Sequence, residues 1–105
     1  LKTMLTLAPT ATLHLHLVPA GRRLDFPTPA GQFAYVYRRG RNQSWQCVAR
    51  NACSPYLDRT SNLSATTHEY MVQYLDTNGE VIQKTSIVRA APAGLPVSPS
   101  WISLR

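Results

Sequence analysis

The sequence predicts an all-β protein: an antiparallel β-sandwich of about seven short strands. Three observations predict it. The segment Glu69–Ala90, EYMVQYLDTNGEVIQKTSIVRA, reads as two strands joined by a tight turn. Short runs of alternating apolar and polar residues, separated by turn residues, recur along most of the chain. Eight prolines are scattered through it, and no stretch carries a helical period.

The hairpin is the clearest of these. Tyr70, Val72 and Tyr74 alternate with Glu69, Met71 and Gln73, as on a strand with one buried face. Asn78-Gly79 supplies the left-handed backbone that a two-residue hairpin turn needs. Val81, Ile82, Thr85, Ile87 and Val88 make a β-branched return strand.

From the first residue, Leu1–Leu7 is a short alternating piece that fits an edge strand, and Ala8-Pro9-Thr10 breaks it. Thr12–Val18 places Leu13, Leu15 and Leu17 on one face and His14 and His16 on the other. Pro19-Ala20-Gly21 turns the chain into Arg22–Phe26, and Pro27, Pro29 and Gly31 end that strand. Gln32–Arg39 has Phe33, Tyr35 and Tyr37 on one face and Ala34, Val36 and Arg38 on the other, which suits a central strand. Gly40-Arg41-Asn42 turns towards Ser44–Ala49. A short extended piece comes next around Tyr56 and Leu57, and Arg59–Thr67 is polar and loop-like except for Leu63. After Ala90, AAPAGLPVSPS has three prolines and a glycine and no strand or helix period. The expected organisation is therefore a domain over residues 1–90 and a Pro-rich linker or tail over 91–105. Trp101-Ile102-Ser103-Leu104 is either an added strand or the start of a neighbouring unit.

At 105 residues, 44% hydrophobic and 15% charged, the chain has the size and balance of one globular domain. No apolar run approaches the ~20 residues that cross a bilayer, so membrane insertion is not expected. Leu1–Leu7 lacks the pattern of a signal peptide. Because the first residue is Leu, the chain is expected to be part of something longer. Eleven Lys and Arg against five Asp and Glu leave a net charge of +6, which favours association with polyanions and also serves solubility.

Taken in order, several pieces carry a resemblance. They are Leu24-x-Phe26, Tyr35-Val36-Tyr37-Arg38, Trp45 with Val48-Ala49, Tyr56-x-Asp58, and Tyr70-x-Val72-x-Tyr74-x-Asp76-x-x-Gly79. Together they make residues 24–90 resemble a bacterial fibronectin type III domain. The resemblance implies an immunoglobulin-like sandwich that spaces or binds and is usually not a catalyst. It further implies a secreted or cell-surface setting, neighbouring domains, and a protein or carbohydrate partner. In that family a tyrosine early in the sixth strand bonds back to the preceding loop. Counting back from Asp76, that place falls on His68, with Tyr70 the nearest tyrosine, so either the register differs or imidazole remakes the corner. An Arg-Gly-Asp tripeptide is absent.

Candidate sites are few. Arg38, Arg39, Arg41 and Asn42 cluster at one turn and are the expected partner or polyanion contacts, with Tyr35, Tyr37 and Trp45 interleaved. Alternating aromatics on a strand are, however, more often core. Arg22 and Arg23 form a second basic group that in a sandwich could fall at a different end, which argues against one continuous basic surface. Cys47 and Cys53, with five residues between them, pair if their Cα atoms come within ~7 Å, a loop closure worth roughly 2 kcal/mol. Otherwise Cys47 faces the core beside Trp45, with Cys53 near the surface. His14 and His16 share a face, yet no spacing with His68 or the cysteines matches a zinc motif, so no metal or other cofactor is expected. No Gly-x-Ser-x-Gly elbow or phosphate-binding glycine loop is present, and a Cys53–His68 pair lacks an orienting third group, so an enzyme is not expected. Asn42-Gln43-Ser44 and Asn62-Leu63-Ser64 fit the glycosylation sequon. The expected function is thus a non-catalytic spacer or interaction module. The alternative is a basic β domain that binds nucleic acid or another polyanion, told apart by its salt dependence.

Overall fold

A computed structural model describes residues 8–59 and 67–90, which form eight strands and no helix. In chain order these are β1 (His14–Val18), β2 (Gly21–Asp25), β3 (Phe33–Gly40), β4 (Gln46–Ala49), β5 (Tyr56–Asp58), β6 (His68–Leu75), β7 (Val81–Lys84) and β8 (Val88–Ala90). The smaller sheet has the order β1-β2-β5. The larger runs β4-β3-β6-β7, with β8 also paired to β6. All the strand pairings are antiparallel. The expected edge strand Leu1–Leu7, the loop residues 60–66 and the segment 91–105 lie outside the described residues.

The two sheets share one core. Leu13, Leu24 and Phe26 come from the side of the smaller sheet and meet Ala34, Val36, Tyr70, Val72, Tyr74 and Ala90 from the larger. On β3 it is the Ala34 and Val36 face that turns inward, so Phe33, Tyr35 and Tyr37 are not core residues. Small side chains on this strand leave room for the two buried tyrosines of its neighbour β6. Buried hydroxyls need partners. Tyr74 donates to the Pro27 carbonyl at 2.6 Å, and burial pushes its pKa up to about 12.

The return strand is broken in two. β7 and β8 take up successive stretches of the same edge of β6, with Lys84 opposite Gln73 and Val88 opposite Tyr70. Between them Thr85 is fully buried. Its amide donates to the Val72 carbonyl at 2.9 Å, while its Oγ1 accepts from the Val72 amide at 3.0 Å. The outward backbone there receives the N-terminal segment. Ala11 bridges Thr85 in parallel, Thr10 N donates to the Lys84 carbonyl at 3.0 Å, and Ser86 N donates to the Ala11 carbonyl at 3.2 Å. The chain then crosses to the smaller sheet through buried Leu13. That is why β1 begins at His14 rather than at Thr12.

Turn chemistry corrects a second expectation. Gly79 (φ 83°) is left-handed but Asn78 is not, so the β6–β7 connection is not a two-residue turn. Asp76 N donates to the Glu80 carbonyl at 2.9 Å and Gly79 N to the Asp76 carbonyl at 3.0 Å, a three-residue loop closed by a left-handed glycine. The Asp76 carboxylate selects it, because its Oδ1 accepts the amides of Asn78 at 2.8 Å and Glu80 at 3.0 Å. Gly21 (φ 149°) is required for a different reason. A Cβ there would stand 2.2 Å from the carbonyl oxygen of Asp58, because β5 passes directly beside it.

Candidate functional site

Strand alternation divides the basic turn between two faces. Arg38 points inward with Val36, and Arg39 points outward with Tyr37. Inside, Arg38 Nη1 donates to both carboxylate oxygens of Asp58, at 3.0 and 2.9 Å. Asp58 is buried on β5 and also accepts from the Tyr70 hydroxyl at 2.5 Å. Arg22, opposite Asp58 in the β2–β5 register and only 1% exposed, donates from Nη1 to His68 Nδ1 at 3.1 Å. Arg22 and Arg38, from two separate turns of the sequence, therefore meet in one inner cluster with Asp58, His68 and Tyr70.

Two guanidinium groups to one carboxylate set the protonation of their neighbours. Burial, then the nearby charges of Arg22 and Arg38, lower the His68 pKa, with Asp58 opposing weakly. His68 is then neutral, its Nδ1 an acceptor and its Nε2 protonated. Burial and the hydrogen bond to Asp58 raise the Tyr70 pKa, so its hydroxyl remains a donor. At the start of β6, Tyr70 reaches back to Asp58 on β5 and the His68 imidazole holds Arg22. The arrangement ties β2, β3, β5 and β6 together through their side chains.

The outer face of the larger sheet is more open. Phe33, Tyr35 and Tyr37 lie along it on β3 at intermediate exposure, with Leu75, Gln73 and Met71 opposite them on β6. Met71 and Gln73 are each only 2% exposed although they stand outside the main core. Tyr37 and Tyr35 stand directly opposite them on β3. The row continues as Arg39, Glu69 and Arg89, directly opposite one another across three strands. Arg39 Nε donates to Glu69 Oε1 at 2.7 Å and Arg89 Nη2 to Oε2 at 3.0 Å. These two hydrogen bonds hold the Glu69 carboxyl below its ordinary pKa. Arg39 also stacks on Trp45, 4.3 Å from the ring centroid. Partial burial, together with Cys47 and Tyr35, raises the Tyr37 pKa, and Arg50 is close enough to oppose it.

Of the four residues expected to bind a partner, three remain at the surface. Arg39 joins this outer face, Arg41 and left-handed Asn42 (φ 58°) project from the β3–β4 turn, and Arg38 is withdrawn into the inner cluster. Periodicity places Tyr35, Tyr37 and Arg39 together. It is silent on Arg50, Glu69, Met71 and Arg89, which only the strand pairing brings beside them. Arg23 faces Asp25 at 3.2 Å on the smaller sheet, where His16 also meets that carboxylate at 3.1 Å.

Cys47 and Cys53 are both free and exposed, so neither the disulfide nor a core-facing Cys47 is present. Cys47 stands opposite Tyr37 on the outer face, with its Sγ 3.6 Å from the Ala49 carbonyl. Cys53 lines a shallow cleft of about 270 Å³ with Thr28, Gln32 and Asn51, near Ala34 and hence the Tyr74 end of β6. His68 begins that strand, so Cys53 and His68 are not neighbours. Among the described residues no three His, Cys, Asp or Glu side chains gather in a way that would hold a metal. Compared with protein families, curated proteins and solved structures, the chain finds no match in any of the three.

Proposed function

We propose that the chain is a non-catalytic interaction module of fibronectin type III-like kind, working within a longer protein. The outer face of the larger sheet is its contact surface. The observation that carries this is the orientation of β3: its aromatic residues face away from the core and remain partly exposed. Burying Phe33, Tyr35 and Tyr37 inside would have been the ordinary use of such side chains. Placed outside on a central strand, they offer a rigid, amphipathic platform at low entropic cost. The Arg39–Trp45 stack and the Arg39–Glu69–Arg89 row give that platform a polar border, as contact surfaces commonly have.

The order β1-β2-β5 facing β4-β3-β6-β7 and the Tyr70 hydroxyl tied back to β5 support the fibronectin type III-like part of the reading. Tyrosine nitration tests the contact surface. A bound ligand is expected to protect Tyr35 and Tyr37 and to be recovered chemically unchanged. Nitration of Tyr35 and Tyr37 that is indifferent to a bound ligand, or conversion of that ligand to product, would overturn it.

A further inference from the structure

We infer that the ligand of this outer face is single-stranded nucleic acid. The inference rests on the reading of the face as the module's contact surface, and it adds the chemistry of the occupant. Charge complementarity is the first argument. The chain has five carboxylate side chains, and only Glu69 lies on this face. Asp25 is on the smaller sheet, Asp58 is in the inner cluster, and Asp76 and Glu80 are in the hairpin turn. Against Glu69 stand Arg39, Arg89 and Lys84 on the sheet, Arg50 near Tyr37, and Arg41 on the turn at the end of β3. Arg89 keeps 70% of its side chain exposed even while paired to Glu69.

Ring placement is the second argument. Phe33, Tyr35 and Tyr37 are alternate residues on one strand, with Cα atoms about 6.8 Å apart. A row of rings on an open sheet, bordered by arginines, stacks the bases of an extended strand while guanidinium groups meet its phosphates. Duplex bases are already stacked and their faces are not offered. A sulfated glycan carries the charge but lacks planar bases, so it would use the arginines without needing the rings.

The test uses the whole 105-residue chain. A fluorescent oligothymidylate of about twelve nucleotides, an abasic oligonucleotide of equal length and charge, and heparin are titrated at about 50 and 200 mM salt. Oligothymidylate is expected to bind at least tenfold more tightly than the abasic strand, with affinity falling steeply as salt rises. In Y35L/Y37L, which keeps an apolar side chain opposite Met71, that preference should disappear while heparin binding is unchanged. The abasic comparison needs no variant and so stands even if Y35L/Y37L does not fold. Equal binding of the two strands, or no oligothymidylate binding at low salt, overturns the inference. A glycan whose binding is lost in Y35L/Y37L also overturns the nucleic-acid assignment but keeps the contact surface. A folded Y35L/Y37L that binds every ligand as the parent does removes both.

Discussion

Arg38 and Arg39 are neighbours in sequence, and each meets a carboxylate, yet their surroundings have almost nothing in common. Arg38 reaches an Asp58 that is 3% exposed, and the pair is enclosed by Arg22, His68 and Tyr70. Arg39 meets a Glu69 that is 20% exposed, in a row open to solvent and shared with Arg89. Similar distances therefore conceal different energetics. In the inner pair both charges have lost most of their water and depend on each other. In the outer pair, solvent and salt replace much of what is lost when a partner leaves.

The sharpest way to break this comparison is to remove each carboxylate in turn. D58A takes away the carboxylate that Arg38 and the Tyr70 hydroxyl share in the inner cluster and is expected to cost about 3–5 kcal/mol in urea unfolding. Gly21→Ala attacks the same region through the backbone, because the new Cβ meets the Asp58 carbonyl and φ is strained. A loss of at least ~2 kcal/mol is expected, and an unchanged midpoint would show that β5 shifts freely. By contrast, E69Q should cost only about 0.2–1 kcal/mol, less at high salt. A cost comparable with that of D58A would erase the distinction.

The smallest effect is a pH slope. His68 has a folded pKa below its unfolded value of about 6.5, so the unfolded chain binds a proton first as pH falls. Its contribution is fully present above about pH 6.5 and is lost as pH falls towards the folded pKa. Melting temperature measured from about pH 7.5 to 5 should decline in the parent and decline less in H68Q. Parallel curves would show that His68 is not held neutral by Arg22 and Arg38.

How much of the molecule is legible in the sequence depends on how local the causes are. Alternation in Tyr70, Val72 and Tyr74, and the turn at Asn78-Gly79, identify β6 and its hairpin because the pattern lies within a few residues. The turn type escapes that reading because an acceptor at Asp76 decides it. On β3 the two faces separate cleanly, but nothing local says which is inside: both carry apolar side chains, and the inner one ends in an arginine. That arginine is acceptable there only because Asp58 arrives from twenty residues away, and Arg22 from the opposite sheet. The outer face is half legible for the same reason. Tyr35, Tyr37 and Arg39 share a visible period, whereas their pairing with Met71, Glu69 and Arg89 is a property of the sheet. Cysteine spacing is uninformative because both thiols point to solvent.

The interruption at Thr85 has a consequence for self-association. An uninterrupted return strand from Val81 to Ala90 would present a long row of free amides and carbonyls, with Ile82 and Ile87 exposed beside it. Such an edge recruits strands from other molecules and seeds fibrous growth. Here it is divided into pieces of four and three residues, and the gap between them is plugged by the chain's own Thr10-Ala11. At this edge the molecule thus templates on itself, leaving an incoming strand only a short landing.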